Sequence, residues 1–371
     1  MVDTKTQYLK IKTAVDNAIN DVLESAAYIN GKAVQDFTLA LNNYHQSGYT
    51  IPCGNGTDAL QIAMMALGLK PGDEVITPSF TYIATTEVVA LLQLTPVFVE
   101  VNPKTFCIDP ESVRKAITLK TKAIVPVHLY GHAAPMEEIM QIANEYNLFV
   151  IEDNAQGIGC DYTFSNGTVK KTGTIGHIGC TSFYPSKNLG AYGDGGAMFT
   201  NDETLAHKMK MIANHGQEKR YYHDIVGCNS RLDSIQAAIL NIKLKELDHY
   251  IAARRTAADF YNKAFANHPK ITTPFVASYC NHVYHQYTLL LEGVDRDGLV
   301  NYLAAQKIPS MIYYPVPGHK QKAFELFGVQ SYELPITDWL TERVISLPMH
   351  TELNEEQLAF ITTNVLNYIN Q

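Results

Sequence analysis

The chain has 371 residues, 46% of them apolar, and a formal net charge of −8. At about 150 residues per domain this length suits one large domain and a smaller one, with ample material for a core. The acidic balance excludes the basic stripe by which proteins hold nucleic acid, and no run approaches the ~18 apolar residues of a membrane-spanning helix.

The N-terminal stretch MVDTKTQYLKIKTAV lacks the apolar core of a secretory signal, so a cytoplasmic location is expected. Cys53, Cys107, Cys160, Cys180, Cys228 and Cys280 are widely spaced, with no Cys-x-x-Cys pair. They predict neither a metal site nor a disulfide framework, but reduced, mostly buried thiols.

In chain order, apolar residues at near-helical spacing from Leu9 to Leu23 predict an amphipathic helix over 8–28, broken at Ile29-Asn30-Gly31 and followed by a second over 32–44. The short apolar segment 49–53 runs into Gly54-Asn55-Gly56-Thr57, and 58–67 reads as helix. A glycine-rich turn that opens a helix offers free N–H groups and the positive end of a dipole to an anion, although such a turn is also an ordinary helix cap. Short strands over 74–78, 96–101, 123–128 and 148–152 alternate with helices over 81–92, 110–116 and 136–146. That alternation is the mark of a parallel α/β sheet, whose ligands bind at the carboxyl ends of the strands. The run Phe149-Val150-Ile151-Glu152-Asp153 ends on two carboxylates; neighbours on a strand face opposite ways, and the terminal Asp153 is the better candidate for a pocket. A lone acid there serves equally well to cap the next helix.

Strands over 178–184 and 196–200 follow, then a helix over 202–213, a donor-rich polar loop over 215–222, and a long helical stretch over 233–266. From about residue 270 the pattern changes to short strands and turns: a strand within 284–291, a helix over 295–305, an extended segment over 312–317, a strand over 344–349 and a final helix over 355–368. The expected organisation is a large domain over 1–250 and a smaller α+β domain over 251–371.

The most telling stretch is 181–198, T-S-F-Y-P-S-K-N-L-G-A-Y-G-D-G-G-A-M, in which Lys187 is the sole cation. A low-dielectric pocket lowers a lysine pKa, and a neutral amine can form a Schiff base with a carbonyl. Alone, a lysine among glycines reads as a surface loop. Pyridoxal phosphate, however, needs a lysine, an acid at the pyridine nitrogen, donors for its phosphate and a flat partner for its ring. Lys187, Asp153, the 54–57 turn and an aromatic at Tyr82 offer all four.

The stretches GNGTDAL (54–60), PGDEVITPSFTYIAT (71–85), VIEDNAQ (150–156), TSFYPSKNLGAYGDGGAM (181–198), NSRLDSIQAAIL (229–240) and SLPMH (346–350) resemble the DegT/StrS family of sugar-nucleotide aminotransferases over essentially the whole chain. The lysine separates the chain from related dehydratases, which carry histidine there. The resemblance implies the type I, aspartate-aminotransferase-like fold, with a mostly parallel seven-stranded sheet in the large domain. It implies that Lys187 bonds the cofactor aldehyde and shuttles a proton, that Asp153 pairs with the pyridinium nitrogen and that Gln156 contacts the phenolic oxygen or ring. Tyr82 would stack on the ring, Gly56, Thr57 and Ser182 would bind the phosphate, and Asn229 would reach the phosphate of a neighbouring subunit in a homodimer. His215, Arg220, Arg231, Tyr314 and His319 are the candidates for the substrate cleft, with Lys219 beside them. The implied reaction moves the amino group of L-glutamate to a keto-sugar nucleotide.

The stretches around Lys187 and over 215–240 are most similar to those of aminotransferases acting on UDP-2-acetamido-2-deoxy-3-oxo-glucuronate, which serve bacterial surface polysaccharides such as lipopolysaccharide O-antigen. The alternatives are a dTDP-3-oxo-6-deoxyhexose or 4-keto-sugar-nucleotide aminotransferase and, from another class, a PLP-binding regulatory protein.

Overall fold

The computed structural model describes residues 1–328 and 331–371. Among them, seven strands form the central sheet, in the order Tyr49–Cys53, Gly196–Thr200, Ile178–Ser182, Phe149–Asp153, Thr121–Ile124, Glu74–Pro78, Thr95–Val99. The last five are mutually parallel. Gly196–Thr200 runs antiparallel to both of its neighbours. This is the mostly parallel α/β architecture the alternating pattern predicts.

Both faces of the sheet are covered, which is why its strands read as continuous apolar runs. Side-chain alternation divides adjacent residues between two cores. Ile76, Ile124, Val150 and Phe199 pack with Phe37, Leu41, Ile139 and Leu240 on one face. Val75, Ala123, Ile151 and Met198 pack with Leu60, Ile62, Val88 and Ile212 on the other. Each such fully buried aliphatic or aromatic side chain contributes about 1.5–3 kcal/mol. A third core lies over the antiparallel sheet Ile271–Thr272, Tyr287–Leu291 and Val344–Leu347, filled by Tyr261, Leu299, Leu303, Ile361 and Val365.

Several boundaries differ from the sequence reading. The first helix is Thr4–Ser25, because the Asp3 side chain accepts from Thr6 N and Ala26 turns left-handed at φ 51°. The strand expected over 123–128 is Thr121–Ile124; Pro126 has no N–H to give a ladder. The helix expected from 81 begins only at Ala84, which leaves 79–83 as a bend over the strand ends. The stretch 233–266 is two helices, Ser234–Leu244 and Leu247–Ala264, because Glu246 at ψ −4° turns the chain between them. The polar loop contains a short hairpin, Gln217–Lys219 with Tyr222–His223. A hairpin Asp161–Thr163 with Val169–Lys171 and a helix Pro335–Arg343 are additional to that reading. No helix among the described residues is long and apolar enough to cross a membrane.

Candidate active site

At the carboxyl ends of the parallel strands lies a cavity of about 760 Å³. Its walls include Gly56, Thr57, Tyr82, Asp153, Gln156, Ser182, Lys187 and Tyr314, drawn from stretches far apart in the chain. Asp153 and Ser182 are the last residues of their strands, and Gly56 opens the helix that follows the strand Tyr49–Cys53.

Lys187 is held by its backbone, whose N–H donates to Tyr184 O at 2.8 Å. The side chain is half-buried, turning part of its surface to the cavity. Burial pulls its amine down to about 8, while the Asp153 charge acts the other way. A pKa near 8 leaves about a quarter of the amine neutral at pH 7.5, against roughly a thousandth for a free lysine. Asp153 is 5% exposed. Thr85 Oγ1 donates to its Oδ2 at 2.8 Å and Ala155 N to its Oδ1 at 3.1 Å, which fixes the orientation of the side chain.

The helix Gly56–Ala66 points its N-terminus into the cavity. Asn55 satisfies two of the first amides, accepting from Asp58 N on Oδ1 at 2.8 Å and from Ala59 N on its carbonyl at 3.1 Å. The amides of Gly56 and Thr57 therefore remain for an anion. Gly56 is required here, because a Cβ would stand 2.7 Å from Ser182 Cβ. The glycines after Lys187 serve packing: a Cβ on Gly190 would stand 2.4 Å from Pro185 O, and one on Gly196 would stand 2.5 Å from Asn55 C.

Gln156 accepts from Tyr130 N at 2.5 Å and donates to the Tyr314 hydroxyl at 3.0 Å. The Tyr314 ring sits 6.1 Å from that of Tyr82. His285 and Gln286 also line the cavity. His285 Nδ1 and Gln286 Oε1 are buried without a partner among the described residues. Such orphans cost about 1–3 kcal/mol each, so a polar occupant suits this space. Burial, then the charges of Lys187 and Arg254, hold the His285 imidazole well below its usual range, hence neutral. With an amine, a buried carboxylate, free amides at a helix end and a tyrosine wall around one volume, the residues fit pyridoxal phosphate.

Other expected residues lie elsewhere. Asn229 is exposed and outside the cavity of its own chain, bridging to Asn214. Of the five substrate candidates, only Tyr314 lines the cavity. His215 and Arg220 are exposed around the 217–223 hairpin, the Arg220 guanidinium lying 5.2 Å from the Tyr221 ring. Arg231 is half-buried away from the cavity. His319 corrects the expectation most clearly: it is 1% exposed, with Nδ1 2.7 Å from Ser79 Oγ, and ties the chain to the end of a strand. Thr85, His285 and Gln286 went unread because nothing local marks them. The Thr85–Asp153 contact spans 68 positions.

Residues 10–366 match the DegT/DnrJ/EryC1/StrS aminotransferase family. The chain is 43% identical over 366 residues to the UDP-2-acetamido-2-deoxy-3-oxo-D-glucuronate aminotransferase of Pseudomonas aeruginosa, covering 99% of both chains. It is 42% identical over 370 residues to a protein of Geobacillus stearothermophilus called pleiotropic regulatory protein, covering 99% of this chain and 98% of that one. The fold superposes with a TM-score of 0.90 on NtdA from Bacillus subtilis, solved with bound cofactor PMP, at 33% identity over 98% of this chain and 82% of that one.

Proposed function

The chain belongs to the DegT/DnrJ/EryC1/StrS aminotransferase family and is a pyridoxal-phosphate-dependent aminotransferase; from that premise we propose that it moves the amino group of L-glutamate to UDP-2-acetamido-2-deoxy-3-oxo-glucuronate. The product, a 3-amino sugar acid, would serve a bacterial surface polysaccharide such as O-antigen, made in the cytoplasm. The observation that carries the chemistry is the cavity in which the Lys187 amine, the Asp153 carboxylate and the Gly56–Thr57 amides meet. The choice of sugar rests on the 43% identity to the Pseudomonas enzyme along the full chain.

When bound, the cofactor supplies an aldehyde that bonds to amines and a ring that accepts electrons. The protein does the rest. Lys187, its pKa lowered by burial, provides the amine that holds the aldehyde and then carries a proton to and from the substrate carbon. Asp153, fixed by Thr85 and Ala155, holds the proton on the pyridine nitrogen. The amides of Gly56 and Thr57 and the Ser182 hydroxyl, which line the cavity, would hold the phosphate dianion, and Tyr82 would cover one face of the ring. Gln156, which accepts from Tyr130 N and donates to the Tyr314 hydroxyl, would stand beside the cofactor ring. In a homodimer, exposed Asn229 would reach the phosphate in the site of the other copy. Lys219 and Arg220 on the exposed hairpin would supply cations for the substrate diphosphate and carboxylate, with His215 beside them as a hydrogen-bonding group.

The test is to incubate the loaded enzyme with L-glutamate and a panel of keto-sugar nucleotides and to detect the amino sugar by mass. Conversion of the UDP-uronate is expected; conversion of a dTDP-6-deoxy ketone alone would overturn the choice of sugar. The name of the Geobacillus relative raises a regulatory reading, but Lys187 and Asp153 are both in place. Glutamate shifting the cofactor's absorption band supports the enzyme; an unchanged band supports the regulator.

A further inference from the structure

Away from the cavity, the cysteines expected to be unrelated come together. Cys160 Sγ and Cys280 Sγ are 3.8 Å apart, both as free thiols. Their segments are laced by backbone bonds, Thr163 N to Tyr279 O at 2.8 Å and Asn281 N to Asp161 O at 3.0 Å. Cys160 is fully buried, whereas Cys280 is half-buried and keeps part of its surface open to solvent. Ala133 N donates to Cys280 Sγ at 3.1 Å. His132 stands in the same group, its Nδ1 4.0 Å from Cys107 Sγ.

Both segments run into the cavity walls. Cys160 ends the loop that begins at Asp153 and carries Gln156. Cys280 begins the segment that carries His285 and Gln286, and Asn188 Nδ2, next to Lys187, donates to Val283 O at 3.0 Å in that segment. Burial alone would raise the Cys280 thiol; the hydrogen bonds with Cys160, His132 and Ala133 N–H hold it below the usual range. His132 Nε2 accepts from Ala277 N at 3.1 Å and its Nδ1 donates to Ala133 O at 2.7 Å, which holds the ring as the neutral tautomer beside the thiols.

We propose that Cys160 and Cys280 are a dithiol site that a peroxide closes into an intramolecular disulfide, tying the wall that carries Asp153 to the wall that carries His285. Cys280 as thiolate attacks one peroxide oxygen; the O–O bond breaks, and the leaving hydroxide takes a proton to become water. Cys160 then attacks the sulfenic sulfur of Cys280, the S–OH bond breaks, and a second water leaves with the Cys160 proton. Two thiols lose two electrons and the peroxide gains them. The sulfurs move from 3.8 Å to a bond of about 2 Å, which draws the two walls together.

The test treats the holoenzyme with hydrogen peroxide, blocks the remaining thiols with iodoacetamide and maps peptides by mass. The expected result is a linked pair of peptides containing Cys160 and Cys280, reversed by dithiothreitol, with Cys280 reacting about ten-fold or more faster than Cys228. Cys228 is the internal control, since it is also half-buried and burial raises its thiol. Cys160→Ser should leave Cys280 as a sulfenic acid trapped by dimedone, and Cys280→Ser should abolish the link. Equal oxidation of Cys228 and Cys280, or a Cys160–Cys280 pair that stays reduced while Cys228 oxidises, would overturn the site. A disulfide that forms without changing the cofactor absorption band would overturn its coupling to the cavity.

Discussion

Lys187 should make the cofactor-free protein less stable than its methionine variant, by an amount that pH switches off. The folded pKa is about 8 against 10.5 for a free lysine. At 1.36 kcal/mol per unit this is a little over 3 kcal/mol, and about 2–3 kcal/mol after discounting for the part of the side chain open to the cavity. The sign follows from proton binding. Between pH 8 and 10.5 the unfolded chain holds the Lys187 proton more tightly than the folded one, so stability rises with pH there. The destabilisation is therefore complete below pH 8 and vanishes above 10.5. Methionine is close in length and carries no charge, so Lys187→Met removes the effect. Urea titrations of both apo proteins at pH 7 should show the variant about 2–3 kcal/mol more stable, and at pH 10 the gap should fall to about a quarter of that. Comparing the two proteins at each pH cancels the contributions of Lys243 and the other buried groups. A gap that is absent at pH 7, or that persists unchanged to pH 10, would refute the claim that burial sets the Lys187 pKa.

Other perturbations address the remaining contacts. Gly56→Ala should weaken cofactor binding about ten-fold or more, about 1.4 kcal/mol, because the new methyl stands 2.7 Å from Ser182 Cβ; titrating the apo protein and following absorbance reads this directly. Thr85→Val should cost about 1.5–3 kcal/mol in urea stability by taking a donor from the buried Asp153 carboxylate, and should move the pH at which the cofactor band changes. Mixing inactive Lys187→Ala and Asn229→Ala proteins should restore about a quarter of wild-type turnover, since half the dimers are hybrids with one intact site. No recovery after verified subunit exchange would remove Asn229 from the shared site.

Local patterns carried the fold wherever burial on both sides made a strand uniformly apolar: the strands Glu74–Pro78 and Gly196–Thr200 and the helix Met136–Tyr146 have the bounds their residues predict. What stayed hidden depends on distant partners. The helix Pro335–Arg343 begins where the Glu100 carboxylate accepts from Ile336 N at 2.8 Å and Thr337 N at 2.9 Å, a cap supplied from the other end of the chain. Lys187 stands out as the sole cation of a glycine-rich run, and Asp153 as the carboxylate that ends an apolar strand. His285 lies among other histidines and tyrosines, and only folding shows that it, rather than His319, lines the cavity.

The strand order also sets a timetable for synthesis. Tyr49–Cys53 has one neighbour in the sheet, Gly196–Thr200, and Tyr49 pairs with Thr200, about 150 positions further on. At translation rates of about 5–20 residues per second, the first strand waits roughly 8–30 s for its partner to be made. The turn at 54–57 hangs from the end of that strand. During this interval the nascent chain can hold its parallel strands without a completed anion cradle, and the cofactor gains its phosphate seat only after the ribosome has passed residue 200.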